Sequence, residues 1–244
     1  PAASDTVLEY PVLVPDNLAA EEELNHEKDD QMSFVRKVLG IVTAQMTLTF
    51  SMAVASSKYP EFGKFMRDPM LLTLSITAGI MSMIVLFCSK HARMSVPLNY
   101  GLLFVFTWME SMIVAETTAT LEVESVLTCI AAFCIVTGCL FGAAIFTKSK
   151  SKLMVGFSIG ILASILIQLA FTMTMWILGR NSYIVAGWAT VGVLCSGLYI
   201  VGDLMMIMDS RRIGYDDYIL GALTLYVDMI RMFMYILALF AKKK

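Results

Sequence analysis

Val201-Gly202-Asp203-Leu-Met-Met-Ile-Met-Asp209-Ser-Arg211-Arg212-Ile-Gly-Tyr-Asp-Asp-Tyr218 leads into an apolar run, Ile219–Phe240, that contains Asp228 and Arg231. Two apolar segments meet across one short polar loop, and each carries an aspartate inside it. A carboxylate in the middle of a bilayer-spanning helix costs roughly 2.5–3.5 kcal/mol on insertion scales, so it normally faces a partner, a cavity or an ion. Asp203 stands six residues before Asp209, roughly 9 Å inside its helix end at a helical rise of about 1.5 Å per residue. Asp228 stands ten residues after Tyr218, roughly 15 Å along the next helix. Both depths are measured from the same loop, so the two acids can approach from neighbouring antiparallel helices. The remaining offset, about one turn, can be absorbed by tilt or by a bridging proton, water or ion.

Outward from this stretch, the whole chain has the composition of a membrane protein. Of 244 residues, 58% are apolar and 16% charged, with 19 Met; the charges cluster at the N-terminus and in short punctuating loops. Between them lie apolar runs of about twenty residues, the length that crosses a hydrocarbon core about 30 Å thick. The expected fold class is all-α, a polytopic membrane protein. The net charge of −2 and the absence of a basic patch interleaved with aromatics exclude a nucleic-acid partner. Cys88, Cys129, Cys134, Cys139 and Cys195 all sit in apolar runs without zinc-type spacing, so they read as packing residues. No resident cofactor is implied.

Residues 1–33 are acidic, with Glu21-Glu22-Glu23 and Asp29-Asp30, and read as a disordered cytosolic tail. Residues 34–244 then divide into seven spans: about Val38–Ala55, Met70–Cys88, Leu98–Val114, Ser125–Phe146, Leu153–Leu178, Tyr183–Met208 and Ile219–Phe240. Gly138-x-x-x-Gly142 and Gly156-x-x-x-Gly160 are expected to allow close helix approach. The Lys148–Lys152 cluster opposite the purely acidic Glu116–Glu124 loop favours a cytosolic N-terminus. On that assignment Lys242–Lys244 fall on the non-cytosolic side, unless the last element is re-entrant.

Two carboxylates close together in low dielectric cannot both ionise cheaply and tend to hold one proton between them. Such a pair is a proton-sensitive latch: protonated, it is hydrogen-bonded, and deprotonated, it repels itself apart or takes a divalent cation such as calcium. The competing assignment pairs Asp228 with Arg231, three residues on and on the same helix face, leaving Asp203 as an interfacial acid. Glu110 is a third acid within a span, and Arg93 lies on the same expected side as the Asp203 loop, either as a partner for the pair or as a topogenic charge. Gln45, Gln168 and Asn99 are expected to hydrogen-bond between helices.

Phe34-Val-Arg-Lys-Val-Leu-Gly-Ile-Val-Thr-Ala-Gln45-Met-Thr-Leu-Thr49 resembles the opening helix of the lifeguard branch of the Bax-inhibitor (transmembrane BAX inhibitor motif) family. So do Pro97-Leu-Asn-Tyr-Gly-Leu-Leu-Phe-Val-Phe-Thr-Trp-Met-Glu110-Ser111 and Ile145-Phe-Thr-Lys148. Asp217-Tyr-Ile-Leu-Gly-Ala-Leu-Thr-Leu-Tyr-Val-Asp228-Met-Ile-Arg-Met-Phe233 is similar to the family signature near the C-terminus. The resemblance implies a seven-helix bundle whose last helix is central. It also implies a pH-sensitive calcium leak channel or proton-coupled exchanger of an intracellular membrane, endoplasmic reticulum or Golgi, with a cell-death-suppressing role. The family's aspartate pair maps onto Asp203 and Asp228, Arg93 is the nearest match to an arginine that engages the pair in relatives, and Glu110 becomes a candidate pathway residue. Two departures stand out: Gly202-Asp203-Leu204 replaces the usual Tyr-Asp-Thr, and Arg231 replaces a residue that is commonly apolar.

Three functions compete. The first is the non-enzymatic calcium pathway gated by Asp203 and Asp228, with calcium and protons as its ligands and lipid as its surroundings. The second is a scaffold that binds death-regulatory or receptor proteins without conducting. The third is an intramembrane aspartyl protease, disfavoured because Gly-Asp sits on the earlier helix, Tyr-Val-Asp on the later one, and no proline follows Pro97.

Overall fold

A computed structural model describes residues 16–146, 163–170, 172–175, 177, 182–208 and 217–244. The helices are α1 (Asp16–Lys58), α2 (Pro60–Met66), α3 (Pro69–Cys88), α4 (Lys90–Met94), α5 (Leu98–Thr118) and α6 (Val123–Phe146), then a shorter apolar piece, α7 (Ala163–Met175), and finally α8 (Ser182–Ile207) and α9 (Tyr218–Phe240). Among the described residues there is no strand, only one isolated bridge between Leu121 and Lys243. Six helices are long and apolar enough to cross a membrane: Asp29–Lys58 of α1, α3, α5, Val123–Ala144 of α6, α8 and α9. The protein is therefore an all-α polytopic membrane protein. Most of the expected fifth span, Leu153–Leu178, falls outside the described residues, as do Gly156, Gly160 and the Lys148–Lys152 cluster.

The helix boundaries follow local chemistry. Asp68 caps α3 by accepting from the Met70 amide at 2.8 Å, with Pro69 in the first helical position, where its missing N–H costs nothing. Ser89 interrupts the chain between α3 and α4 and accepts from the Ala92 amide at 3.2 Å. The helix α1 is longer than expected. From Asp16 to Gln31 the acidic segment is helical and continuous with the first span; it has no proline after Pro15 and is rich in Ala, Leu and Glu, good helix formers.

Three phenylalanines tie α1, α6 and α9 together edge to face: Phe50–Phe133 at 5.5 Å, Phe50–Phe233 at 5.0 Å and Phe133–Phe233 at 5.9 Å between centroids. Beside them runs a polar seam along α1, α5 and α9. Gln45 Nε2 donates to Thr107 Oγ1 at 2.7 Å, while the Thr49 hydroxyl meets Ser111 at 2.9 Å and Tyr226 at 2.8 Å. Ser56 Oγ donates to the Ala115 carbonyl at 2.6 Å and Thr118 Oγ1 to that of Ala53 at 3.0 Å. Lipid tails are as apolar as leucine, so in a bilayer these bonds and close packing replace the hydrophobic drive between helices. The helix α3 packs on α5, and α9 packs on α1, α5, α6 and α8.

Of the polar residues expected to bridge helices, Gln45 does so. Asn99 instead bonds locally, to the Arg93 carbonyl at 2.9 Å, and the Gln168 amide is enclosed with neither atom bonded. The expected close approach at Gly138 and Gly142 is corrected: a Cβ at either would meet no described atom within 4 Å. Gly63 and Gly192 are the tight sites instead, with a Cβ falling 2.8 Å from the Ser56 carbonyl oxygen and 2.6 Å from the Tyr235 ring respectively.

The two ends of α9 fix its course. Its first residue, Tyr218, stacks near Tyr100 at the start of α5 with centroids 6.0 Å apart. At its far end the Lys244 amide donates to the Thr120 carbonyl at 3.0 Å and the Glu122 amide to that of Lys242 at 2.9 Å, just past the end of α5. The last helix therefore runs the full height of α5 and does not turn back. Lys242–Lys244 share an end of the bundle with Glu122, which removes the re-entrant alternative.

Candidate functional site

The site lies where α8 and α9 pack. On α9, Thr224, Asp228, Arg231 and Tyr235 follow one another at spacings of four, three and four, which aligns them as one polar stripe on an apolar helix. Asp203 lies on the buried face of α8 with Ile200 and Ser196 one and two turns before it. The stripe meets that face. Asp203 is an electrostatic neighbour of Asp228 across the packing of α8 and α9, with Thr224 and Arg231 also near it. One Asp203 oxygen, Oδ2, is enclosed without a hydrogen-bond partner.

Arg231 completes the group. Its Nη1 stands 3.4 Å from Asp228 Oδ1, and its guanidinium carbon lies 5.9 Å from the centroid of the Tyr199 ring on α8. Tyr199 is in turn hydrogen-bonded to the Ser164 hydroxyl of α7. Of the two assignments weighed from spacing, the contact of Asp228 with Arg231 is present, and Asp203 lies near both. Exposure grades across the group: Asp203 is 9% exposed, the Asp228 side chain 15%, and the Arg231 side chain 48%. Arg231 is thus the open edge of an otherwise enclosed cluster.

That edge borders a cavity of about 320 Å³ between α7, α8 and α9, lined by Gln168, Ser196, Tyr199, Arg231 and Tyr235 together with apolar residues such as Ile165 and Trp188. Ser196 Oγ and both amide atoms of Gln168 are enclosed and unbonded there. Gly192 makes room for the Tyr235 ring, which also meets Trp188 edge to face at 4.8 Å.

Arg93 is not part of this cluster, so of the two roles open to it that of partner to the pair is not the one the structure shows. Its Nε donates to both oxygens of Asp217, at 2.9 and 3.1 Å, and its Nη1 to the carbonyls of Leu86 and Phe87 at 2.8 and 2.9 Å. Asp217 immediately precedes α9 and makes no side-chain cap to it, because its carboxylate is committed to Arg93. Glu110 is separate too: it lies against α3, with Oε1 3.8 Å from where a Cβ at Gly79 would stand. Among the described residues no three of His, Cys, Asp and Glu gather into a metal-binding group. Calcium takes six to eight oxygen ligands, and two carboxylates supply at most four.

The sequence reading did not single out Asp217, Thr224, Tyr199 or Ser196. Thr224 was detectable, lying one turn before Asp228 on the same face. Tyr199 and Ser196 carry no signal in a linear sequence.

Residues 31–244 match the family described as "Inhibitor of apoptosis-promoting Bax1". The chain is 27% identical over 208 residues to protein lifeguard 4 of Mus musculus, covering 85% of this chain and 84% of that one. It is 31% identical over 219 residues to protein LIFEGUARD 3 of Arabidopsis thaliana, covering 87% and 86%. It is 25% identical over 210 residues to the Golgi anti-apoptotic protein of vaccinia virus strain Lister, covering 86% and 85%. A match that runs from the first span through both aspartate-bearing helices to the final lysines means that this chain belongs to the Bax-inhibitor family and resembles its lifeguard members.

Proposed function

We propose that this protein is a non-enzymatic, pH-sensitive calcium leak pathway, or a proton-coupled calcium exchanger, of an intracellular membrane, and that it suppresses cell death. The observation that carries this reading is the proximity of Asp203 and Asp228 inside the bundle, beside a mainly apolar cavity that has Gln168, Ser196, Tyr199 and Arg231 in its lining. Two carboxylates and one guanidinium are electrically balanced when one proton is shared. Loss of that proton leaves a net negative site in low dielectric, which either separates or takes a cation. The finer architecture belongs to the same reading: seven spans enclosing a central last helix, with the N-terminus in the cytosol. A Golgi location is supported by the vaccinia relative's name, as is the anti-apoptotic role; the endoplasmic reticulum is the alternative membrane. Glu110, at a similar depth but on the α3 side, is a candidate second station for the ion.

The experiment is calcium flux through the purified protein in liposomes, measured from pH 5 to 8, beside Asp203→Asn, Asp228→Asn and the double variant. The expected result is altered flux with a flattened pH profile in each variant. Flux and profile matching wild type in all three would refute the proposal. The contact between Arg231 and Asp228 favours a second reading, a scaffold for death-regulatory proteins in which the acids are only structural. A scaffold keeps its partners when both aspartates are neutralised.

A further inference from the structure

We infer that Arg231 is the specificity-determining residue of this site: a tethered cation that holds the metal position on Asp228 and must swing into the α7–α8–α9 cavity before a calcium ion can bind. The inference rests on the proposed calcium pathway and adds the device that controls entry to it.

Four observations carry it. The first is placement, because Arg231 stands between the cavity and the enclosed carboxylates and touches both. An ion arriving through the cavity meets a guanidinium before it meets an acid. The second is the looseness of the contact. At 3.4 Å, through one nitrogen, it is a single long bond, unlike the forked, short contact that Arg93 makes with Asp217 at 2.9 and 3.1 Å. A well-seated guanidinium–carboxylate pair is bidentate at about 2.7–2.9 Å, so Arg231 is poorly held.

The third observation is that a destination exists. Gln168 Oε1 and Ser196 Oγ are enclosed acceptors without partners on the far wall of the same cavity. Buried polar atoms are nearly always bonded, and a guanidinium carries five donors. The Tyr199 ring, 5.9 Å from the guanidinium carbon, supplies a π face along the way. The fourth is need. Asp203 Oδ2 is unbonded while Arg231 holds Asp228, so one ligand oxygen of the pair is already available, and withdrawal of Arg231 frees the other carboxylate.

Direct exchange follows. With Arg231 on Asp228, the carboxylates see a monovalent cation that cannot leave. With Arg231 on Gln168 and Ser196, they can take a divalent one. A lysine at the same position is also a tethered cation, whereas a glutamine keeps the size and loses the charge.

The test uses the full chain in liposomes loaded with a calcium dye, together with calcium titration calorimetry on the detergent-purified protein. Arg231→Gln is expected to raise both flux and calcium affinity at least tenfold at pH 7, with Arg231→Lys within about threefold of wild type. Gln168→Leu, which removes the destination and leaves Arg231 in place, is expected to lower both severalfold. If Arg231→Gln does not fold, the Gln168→Leu result stands on its own: unchanged flux and affinity there would overturn the inference. Suppose the Asp203→Asn/Asp228→Asn double variant loses flux while Arg231→Gln and Gln168→Leu both match wild type. Then the exchange is refuted and the calcium pathway survives. If the double aspartate variant conducts like wild type, the pathway itself has failed, and the inference fails with it.

Discussion

Removing the Arg93–Asp217 pair should detach the start of α9 from the α3–α4 corner, and the cost can be worked from its geometry. The two side chains are each 11% exposed and meet at 2.9 Å. Coulomb's law at an effective dielectric of about 20 gives an attraction of roughly 6 kcal/mol at that distance, most of it cancelled by desolvation of the two ions. Truncating one partner removes the attraction but leaves the other ion enclosed, which typically costs about 3–5 kcal/mol, slightly less at an edge that water reaches. Asp217→Asn should therefore destabilise by about 2–3 kcal/mol. Arg93→Leu should cost more, about 3–4 kcal/mol by the same reasoning, because Arg93 also closes α3 by donating to the carbonyls of Leu86 and Phe87. The double variant leaves no unpaired ion and should cost less than the sum by about 1–3 kcal/mol. Reversible unfolding in mixed micelles, titrated with dodecyl sulfate and followed by circular dichroism, measures all three. Additivity within about 0.5 kcal/mol, or Asp217→Asn costing more than Arg93→Leu, would refute the reasoning.

Gly192→Ala should push the Tyr235 ring off α8, since the new methyl would sit 2.6 Å from the ring atoms. The expected loss is about 1–3 kcal/mol, largely restored by adding Tyr235→Leu, with unfolding midpoints as the readout. In the polar seam, Thr49→Val should cost about 1–2 kcal/mol, because it takes the Tyr226 hydroxyl's partner and one of the two bonds of Ser111, which keeps the Thr107 carbonyl, whereas Tyr226→Phe should cost less. Thr49 keeps its bonds to Ser111 and to the Gln45 carbonyl in that variant. The reverse order in the same unfolding assay would mean that the seam is held from α9 and not from α1.

The long elements were legible because a bilayer imposes their length. Met70–Cys88 and Ile219–Phe240 were bounded to within a residue, by flanking charges that are costly in hydrocarbon and, for the first, by Pro69, which favours a helix start. The short helices α2 and α4 were not legible, since seven and five residues are too few for a period to show. The depths of Asp203 and Asp228 below one loop pointed to neighbouring positions, because antiparallel neighbours share a ruler. The partner of Arg93 was not legible. Asp203 and Asp217 both lie near the loop between α8 and α9, and which acid is nearer across the bundle is a matter of packing that no linear pattern encodes. The Gly138–Gly142 motif failed differently: small residues permit close approach without requiring it, so spacing alone does not say whether another helix is there.

Charge supply explains why Arg231 matters more than its exposure suggests. The helices α3, α5, α6, α8 and α9 together contain no other lysine, arginine or histidine, yet they hold Glu110, Asp203 and Asp228 well inside their ends. Arg93 neutralises Asp217 at the edge and has nothing left to offer the interior. Among these helices the single interior cation therefore faces three interior acids and contacts one, Asp228. The choice of Asp228 follows from the helix, because an i, i+3 pair on one face needs no rearrangement elsewhere. Asp203 and Glu110 are left without a cation of their own among the described residues. A structural ion pair would have been matched one to one and sealed. Among these helices the interior is two cations short for its three acids, and the cation it has stands beside a cavity with unbonded acceptors, the arrangement on which the proposed exchange rests.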